Sequence, residues 1–313
     1  MMLRKIARAA VLVVLVLLAA LLLPNARSLY EGIFFYLRDI ISPSPIHPIS
    51  RTGRYASLFD LIQLRNGERR DYILSHLEAG GMAVTRIPVP DSQLADLLVR
   101  FNAEGPYTVY SAHYDKLYDD VAYQGASDNT AAVSVLLATA VELQREGYRG
   151  RAAFLFTGEE EKGLRGAIAF MNYVHATRLP VRENVNFDNV GRGKLAIRPS
   201  VQIPGYSFTV PFYGDLTYDG RTLRPSPPYA PANPRLTQDL VGIQPDMVVY
   251  EHFTATSDSN IFQANGIDTV AISGDDMHYL EETWHTYADR VELLDEQNLD
   301  RAYDLILRYA QAN

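Results

Sequence analysis

Several residues that can bind metal ions stand directly after short apolar runs of the sequence. His113 and Asp115 follow the run 107–112, and Asp188 follows the sequence NVNF. Asp128 stands among small residues, just ahead of an apolar run with helical character. Histidine, aspartate and glutamate bind divalent cations through nitrogen and oxygen, and a free carboxylate beside a metal-bound water can act as a general base. Together these residues form a donor set that zinc chemistry can use.

The acidic triplet 159–161 belongs to the same set, because it follows the apolar run 152–157. Most acidic triplets are solvated helix starts, and an isolated His-x-Asp pair is more often a surface feature than a metal site. Their shared position after buried strands distinguishes them here. In an extended chain the i, i+2 spacing places the side chains of His113 and Asp115 on one face. Asp115 is therefore a candidate to orient a metal-binding histidine.

The elements that must position these residues follow an α/β pattern. Strands are predicted at 82–89, 94–101, 107–112, 152–157, 185–187, 195–198 and 269–273, and helical segments at 54–79, 130–143, 164–177 and 296–310. This alternation favours an α/β domain with a largely parallel sheet. Ligands of such sheets bind at the carboxyl ends of the strands, where the polar residues above stand.

The composition is that of a globular protein. The 313 residues are 47% hydrophobic and 21% charged, enough to bury a sizeable core. The 29 basic and 37 acidic residues give a net charge of −8, and the body has no run of Lys or Arg, so nucleic acid is not expected as a partner. Because the chain has no cysteine, any metal must be held by nitrogen and oxygen ligands.

A targeting segment is predicted near the N-terminus. Arg4, Lys5 and Arg8 precede an apolar run over residues 9–23, which ends at Pro24. The run is short of the roughly 20 residues that a spanning helix needs. Only a poor cleavage site follows it, so an uncleaved membrane anchor is favoured over a cleaved signal peptide. The basic residues would place the body outside the cytoplasm, either membrane-anchored or, after cleavage, secreted into the periplasm or medium.

Two further segments lie between this run and the main domain. Residues 29–41 are amphipathic and rich in aromatic residues, which suits either the membrane surface or a groove on the main domain. Residues 42–49 are rich in proline and indicate a semi-rigid linker. We therefore divide the chain into residues 1–50, with anchor, juxtamembrane segment and linker, and a domain over 51–313. Within that domain, the Tyr-, Pro- and Gly-rich stretch 206–234 is predicted to line the site or to be a surface excursion.

The order of the motifs resembles the di-zinc aminopeptidase family of the bacterial leucyl aminopeptidase type, which also contains glutamate carboxypeptidases and glutaminyl cyclases. The motifs are AHYD, GASDNTAA, GEEEKGLRGA, NFDN and WHTYAD, and they span about residues 107–289. The resemblance implies a three-layer α/β/α fold around a mixed sheet. It also implies a metallopeptidase with peptide substrates and two zinc ions, although nitrogen and oxygen ligands accept cobalt or manganese as well.

Under this resemblance five side chains bind the two ions, and Asp128 is shared between them. The first ion takes His113, Asp128 and Asp188, and the second takes Asp128, Glu161 and His285. The last ligand is His285 because it matches the family's His-Thr-x-x-Asp pattern, which His252 and His278 do not match.

Two more residues receive roles beside the metal. Glu160 would be the general base, and Asp115 would orient His113. The family pattern Glu-Glu-x-Gly-Leu-x-Gly fits only in the register that begins at Glu160, so Glu159 lies one residue upstream of it. The resemblance further implies a cis peptide bond directly after Asp128.

Departures from the family pattern leave the substrate open. Trp284 precedes His285 where many members have tyrosine, as in glutaminyl cyclases, and Ser259 stands where the family often has histidine. An aminopeptidase is the leading prediction. The alternatives are a single-zinc enzyme like the glutaminyl cyclases, and a carboxypeptidase for acidic peptides, which would need arginines such as Arg165 and Arg192. A binding module without activity is disfavoured because every presumed ligand is present.

Overall fold

The computed structural model describes residues 26–102, 104–201, 232–251 and 256–313, together with short strand segments between 209 and 230. The apolar run 9–23 lies outside the described residues. In the described part of the chain, every helix is too short or too polar to cross a membrane. Within the stretch 206–234, residues 209–210 pair with 214–215, 217–218 with 221–222, and 229–230 with 200–201.

The described elements alternate as the sequence predicts. The helices are α1 (Ala26–Ile41), α2 (Ala56–Leu61), α3 (Asn66–Ala79), α4 (Ala131–Arg145), α5 (Arg165–Thr177), α6 (Pro234–Ile243), α7 (Ser259–Ala264), α8 (Met277–Thr283) and α9 (Glu296–Ala312). The strands of the main sheet are β1 (Val84–Pro88), β2 (Ala95–Arg100), β3 (Tyr107–His113), β4 (Ala152–Thr157), β5 (Val181–Phe187), β6 (Leu195–Arg198), β7 (Val248–Val249) and β8 (Asp268–Gly274). A kinked turn over Ala126–Thr130, in which Asp128 and Asn129 have non-helical backbone angles, precedes α4.

Eight strands form one mixed sheet in the order β1-β2-β4-β3-β5-β8-β6-β7. The central strands β4, β3, β5 and β8 are parallel to one another. Towards the edges, β2 runs antiparallel to β4 and β1, and β6 runs antiparallel to β8. The predicted α/β fold with a mixed sheet is confirmed, and its parallel part is the centre.

Helices cover both faces of this sheet, and alternate residues of the strands pack against each layer. On β3, Tyr110 and Ala112 join the larger core, which includes apolar residues of α2, α3, α4, α6 and α9. Tyr107 and Val109 join a smaller core with α5 and α7. Every residue of β3 is buried, including the polar His113 at its C-terminal end. A buried histidine is less common than a buried apolar residue, so its surroundings bear on function.

The structure differs from the predicted elements in several places. The helical segment 54–79 is divided into α2 and α3, because the N–H groups of Gln63 and Leu64 bond back only three residues and close a tight turn. The short helices α6, α7 and α8 and the short strand β7 were not predicted. Two of these helices have caps that the sequence shows: the side chain of Asn233 accepts from Leu236 N of α6 at 3.0 Å, and that of Asp276 accepts from Tyr279 N of α8 at 3.0 Å.

Residues 42–49, predicted to be a linker, lie against the domain. The carbonyl of His47 accepts from Glu296 N at 2.8 Å, and the carbonyl of Ser44 accepts from Arg192 Nη2 at 2.8 Å. The ring of His47 also lies 2.8 Å from the Asp295 carboxylate. This segment is therefore a strap that runs from α1 to α9, while the domain boundary near residue 51 stays a prediction.

Candidate metal centre

Three neighbouring strands bring the predicted residues to one edge of the sheet. His113 is the last residue of β3, the glutamates follow β4, and Asp188 follows β5. Because β3 lies between β4 and β5 and all three are parallel, their carboxyl ends meet. Asp188 N donates to Ile272 O at 2.9 Å, which fixes the end of β5 against β8.

Asp128 lies between two histidines at the centre of this edge. Its Oδ1 is 3.1 Å from His113 Nε2, and its Oδ2 is 3.4 Å from His285 Nε2. Asp188 Oδ1 lies 3.6 Å from His113 Nε2, and Glu161 Oε2 lies 3.2 Å from His285 Nε2. The side chain of Asp128 is only 4% exposed, so both of its oxygens are committed to this cluster.

Three groups of side chains have donor atoms close enough to share a cation. Within each group these atoms lie within 4.8 Å of one another: His113, Asp128 and Asp188; Asp128, Glu161 and His285; and His113, Glu160 and Glu161. The first two groups are the two sets that the family resemblance implies. Asp128 belongs to both.

Asp289 holds the loop that carries Asp128 by hydrogen bonds to its backbone. Its carboxylate accepts from Ser127 N at 2.8 Å and from Asp128 N at 3.0 Å, and it accepts from the Tyr279 hydroxyl at 3.1 Å. Burial raises the pKa of Asp289 to about 6. Gly125 begins the turn with φ +53°, and a Cβ there would lie 2.6 Å from the carbonyl oxygen of Asp128. The sequence places Asp289 in a motif but gives no sign of this positioning contact.

Asn129 ties the same loop to the end of β5. Its Nδ2 donates to Phe187 O at 2.9 Å, and its Oδ1 accepts from Asn189 N at 3.3 Å. These bonds hold Asp128 beside Asp188. The peptide bond between Asp128 and Asn129 is cis, as the resemblance implies.

Asp115 lies beside His113 but acts mainly on the glutamate loop. The Nδ1 atom of His113 is 3.1 Å from the backbone carbonyl of Asp115 and 3.6 Å from its carboxylate. The carboxylate instead accepts from Glu160 N at 3.1 Å and Glu161 N at 3.2 Å. Since a carbonyl can only accept, Nδ1 carries a proton, and Nε2 is the ring nitrogen that faces the cluster.

The three consecutive glutamates take different directions. Glu159 turns away from the site: it pairs with Lys162 Nζ at 2.8 Å and accepts from the Ser92 hydroxyl. The carboxylates of Glu160 and Glu161 both lie close to His113. The register that begins at Glu160 is therefore the one whose side chains reach the cluster.

The cluster perturbs the titration of its members. Burial opposes ionisation of Asp128, but the neighbouring imidazoles of His113 and His285 outweigh it and lower the pKa of Asp128. Burial and the charge of Asp128 raise the pKa of Glu161 to about 7, while burial and neighbouring carboxylates raise that of Glu160 well above its usual value. Burial disfavours protonated His285, yet the carboxylates around it raise its pKa to about 10. Such crowding of carboxylates favours a bound cation.

Unsatisfied buried atoms show that the donor set fits zinc. Nε2 of His113 and Oε1 of Glu161 are buried and make no hydrogen bond of acceptable geometry within the described residues. Buried polar atoms normally have a partner. Imidazole nitrogen and carboxylate oxygen are ligands that zinc accepts, so the residues present fit a zinc site.

Two residues near the site carried no sequence signal. Tyr123 is fully buried, and its hydroxyl has no hydrogen-bond partner in the described part of the chain. Burial and the charges of Asp128 and Asp289 raise its pKa. Arg69 is also fully buried and donates from Nη2 to Thr130 Oγ1 at 2.8 Å, although burial lowers its pKa to about 10. Arg69 remains a cation at neutral pH, and its contact with Thr130 places it beside the turn that carries Asp128.

Trp284 and Ser259, which depart from the family pattern, lie in different environments. Trp284 is 53% exposed, and its ring centroid lies 4.2 Å from that of His285. Ser259 is buried, with its hydroxyl 2.7 Å from that of Ser257. His278 packs against Tyr36 rather than in the cluster, whereas His252 lies outside the described residues.

The arginines suggested for acidic peptides have structural partners. The side chain of Arg192 is 11% exposed, lies 3.3 Å from Asp276 and donates to Leu293 O at 3.1 Å as well as to the strap. Arg165 donates to the backbone carbonyl of Pro90. Neither of these two side chains is a free carboxylate receptor.

Solved structures of an aminopeptidase, a Zn-dependent exopeptidase and a glutaminyl cyclase share this fold. The LapA aminopeptidase of Legionella pneumophila is 16% identical, with a TM-score of 0.64 over 84% of this chain and 71% of that chain. A Zn-dependent exopeptidase from Parabacteroides distasonis is 15% identical, with a TM-score of 0.62 over 86% of this chain and 100% of that chain. A glutaminyl cyclase from an Acidobacteriales bacterium is 15% identical, with a TM-score of 0.61 over 87% and 97% of the two chains.

The family follows from the sequence itself. The sequence model of peptidase family M28 matches residues 97–310, and the chain belongs to this family. A search of curated proteins finds no match. The predicted family is thereby confirmed, and a zinc-dependent metallopeptidase is supported, whereas aminopeptidases and glutaminyl cyclases both occur among the similar structures.

Proposed function

We propose that this protein is a two-zinc aminopeptidase that removes N-terminal residues from peptides. The observation that carries the proposal is the position of Asp128, with one oxygen towards His113 and the other towards His285. A carboxylate placed between two sets of donors can bridge two ions. A site built for one ion would not need donors on both sides of it.

The two ions would have the ligands that the geometry groups together. His113, Asp128 and Asp188 would hold the first, and Asp128, Glu161 and His285 the second. Each set leaves room for water or substrate, as catalytic zinc sites do. Asp115 and Asp289 would position these ligands through the backbone N–H groups that they accept from.

Bound zinc would supply Lewis acidity for the scissile carbonyl and would make a water molecule more acidic. Glu160 would accept the proton of the attacking water and return it to the leaving amine as the C–N bond breaks. Its partly buried carboxylate has a pKa raised by burial, and a raised pKa favours the acceptance of a proton.

A glutaminyl cyclase-like activity is the second candidate, and Trp284 favours it. The exposed indole beside His285 offers a flat surface on which a substrate can stack. Two complete donor groups, together with Asn129 after the shared aspartate, support the hydrolase instead. The carboxypeptidase alternative is weaker because Arg165 and Arg192 are occupied.

We also propose that the body is held outside the cytoplasm by the N-terminal segment. The support is the sequence alone: basic residues precede the apolar run 9–23, and a poor cleavage site follows it. Protease digestion of intact and permeabilised cells would test this, because only a body outside the cytoplasm is accessible before the inner membrane is opened.

The experiment that tests the proposed activity is zinc analysis of the purified full chain combined with a substrate panel. We expect two zinc ions per chain and release of the first residue from aminoacyl peptides, with no cleavage of the same peptides after N-acetylation. One ion per chain together with cyclisation of N-terminal glutamine would instead establish the second candidate.

A further inference from the structure

The outer face of α1 is apolar. Every residue of the helix between Tyr30 and its end that is exposed in the described structure is apolar or aromatic: Tyr30 (72% exposed), Ile33 (50%), Phe34 (53%), Leu37 (50%), Ile40 (46%) and Ile41 (83%). The spacing of three, four and seven residues places them along one side of the helix. We call this set the outer stripe.

Between Tyr30 and the end of α1, the charged side chains contact the domain on the opposite side. Arg38 donates from Nη2 to Asp275 O at 2.8 Å and lies 3.1 Å from its carboxylate. Asp39 is buried and accepts from Met277 N at 2.6 Å, while Glu31 accepts from Glu251 N at 3.1 Å. Phe35 adds an edge contact with Tyr250 at 4.7 Å between ring centroids. The helix is therefore firmly docked and is not a free tail.

This arrangement is the reverse of what water favours. A helix on the surface of a soluble domain normally turns its apolar side inwards and its charged side outwards. Here the charged residues contact the domain together with Phe35 and Tyr36, and the outer stripe faces away from it. A row of large exposed apolar side chains indicates a surface that meets an apolar partner.

We infer that the outer stripe lies in the surface of a lipid bilayer. The apolar run 9–23, which the sequence predicts to be a membrane anchor, ends three residues before α1 begins at Ala26. A chain whose anchor is in the bilayer must leave it close to the start of α1. Amphipathic helices next to such an anchor bury their apolar side at the boundary between headgroups and acyl chains, where aromatic side chains are favoured.

The consequence is a fixed orientation of the catalytic domain. Asp39 of α1 binds the first N–H of α8, and α8 ends directly before Trp284 and His285. One short helix thus connects the bilayer-facing element with the candidate metal centre. An anchor alone would tether the domain, whereas the docked stripe would also determine which side of it faces the membrane.

The absence of cysteine allows a direct test on the full chain, because a single introduced cysteine can be labelled uniquely. The label is an environment-sensitive fluorophore at Phe34→Cys, and Ile41→Cys is a second site in case the first disturbs α1. Arg308→Cys, exposed on α9, is the matched control. The labelled proteins are reconstituted in vesicles of zwitterionic and anionic phospholipid, with and without lipids that carry a nitroxide near the glycerol backbone.

We expect a blue-shifted emission and strong nitroxide quenching for labels at 34 and 41, and neither for the label at 308. Unquenched labels at both stripe positions would overturn the inference, whether residues 1–25 or a second copy of the chain covers the stripe. Because the readout is lipid contact, it is independent of the peptidase activity, and failure of one proposal does not imply failure of the other.

Discussion

The candidate metal centre and the outer stripe of α1 reverse the usual distribution of residues in opposite ways. The metal centre buries carboxylates and imidazoles where apolar side chains would stabilise the fold, and the stripe exposes apolar side chains where polar ones would meet water. Each arrangement is costly unless something absent from the chain itself, a cation or a lipid surface, completes it. Both regions therefore indicate a partner. Buried carboxylates and imidazoles indicate a cation, and exposed apolar side chains indicate a lipid surface.

The largest effect should come from Glu160 within the metal centre. Glu160→Gln keeps the size of the side chain but cannot accept a proton, so we expect kcat to fall by about 10²- to 10⁴-fold with zinc content unchanged. Glu159→Gln is the matched control, because that carboxylate faces Ser92 and Lys162. Equal loss in both variants, measured in steady-state kinetics on an aminoacyl peptide, would contradict the assignment of the base.

A smaller effect is expected at Asp289, which holds the loop of Asp128 but belongs to neither donor group. Asp289→Asn replaces one accepting oxygen by an amide that cannot accept from Ser127 N and Asp128 N together. We expect zinc affinity to fall by about 10- to 100-fold, as is usual for groups that orient metal ligands. The control Tyr279→Phe removes one donor to the same carboxylate and should change the affinity less, as titration of the metal-free proteins with zinc would show.

Zinc affinity should also increase with pH, because the surrounding carboxylates keep His285 protonated in the metal-free protein. Without metal, the neighbouring carboxylates raise the pKa of His285 to about 10, so at neutral pH its imidazole holds a proton that zinc must displace. Affinity is therefore expected to rise with pH through the neutral range, with proton release on binding. Calorimetry in buffers of different ionisation enthalpy measures this release, and an affinity that falls as pH rises from 6 to about 8 would contradict it.

The smallest effect on catalysis is expected from the outer stripe. Phe34→Ser lies outside the metal centre and removes exposed apolar surface, so peptide hydrolysis in detergent should stay within about twofold of wild type. Its effect should instead appear in the bilayer as weaker lipid contact of a label at position 41. A large loss of kcat in detergent would mean that α1 supports the metal centre directly and would weaken the contrast between the two regions.

The sequence predicted which side chains lie together at the candidate metal centre, whereas their roles as ligands and base stay predictions. His113, Asp128, Glu160, Glu161, Asp188 and His285 all lie at the sheet edge that the alternation of strands and helices indicated. What it missed were contacts that depend on the folded chain. The carboxylate of Asp115 was expected to orient His113 but mainly accepts from Glu160 N and Glu161 N, and the carbonyl of Asp115 is the closer partner of the imidazole.

For the N-terminal region the sequence was informative only in part. The amphipathic pattern of residues 29–41 indicated a segment with two different sides but left open whether it meets the membrane or the domain. The structure shows the domain contact through Arg38 and Asp39, and that contact uses the polar side. Periodicity can show that a segment has two different sides, but only its contacts in the folded chain show which side is covered. The hydrogen bond from Met277 N of α8 to Asp39 has no signal in the sequence.

The central claim is that Asp128 is shared by two zinc ions, and zinc stoichiometry tests it most directly. Metal-free protein titrated with zinc should bind two ions per chain. Asp128→Ala should lose tight binding of both ions, because the bridging carboxylate belongs to both donor groups. Asp188→Ala, which alters only the first group, should still bind one. A wild-type protein that binds a single ion, or an Asp128→Ala variant that still binds two tightly, would contradict the account.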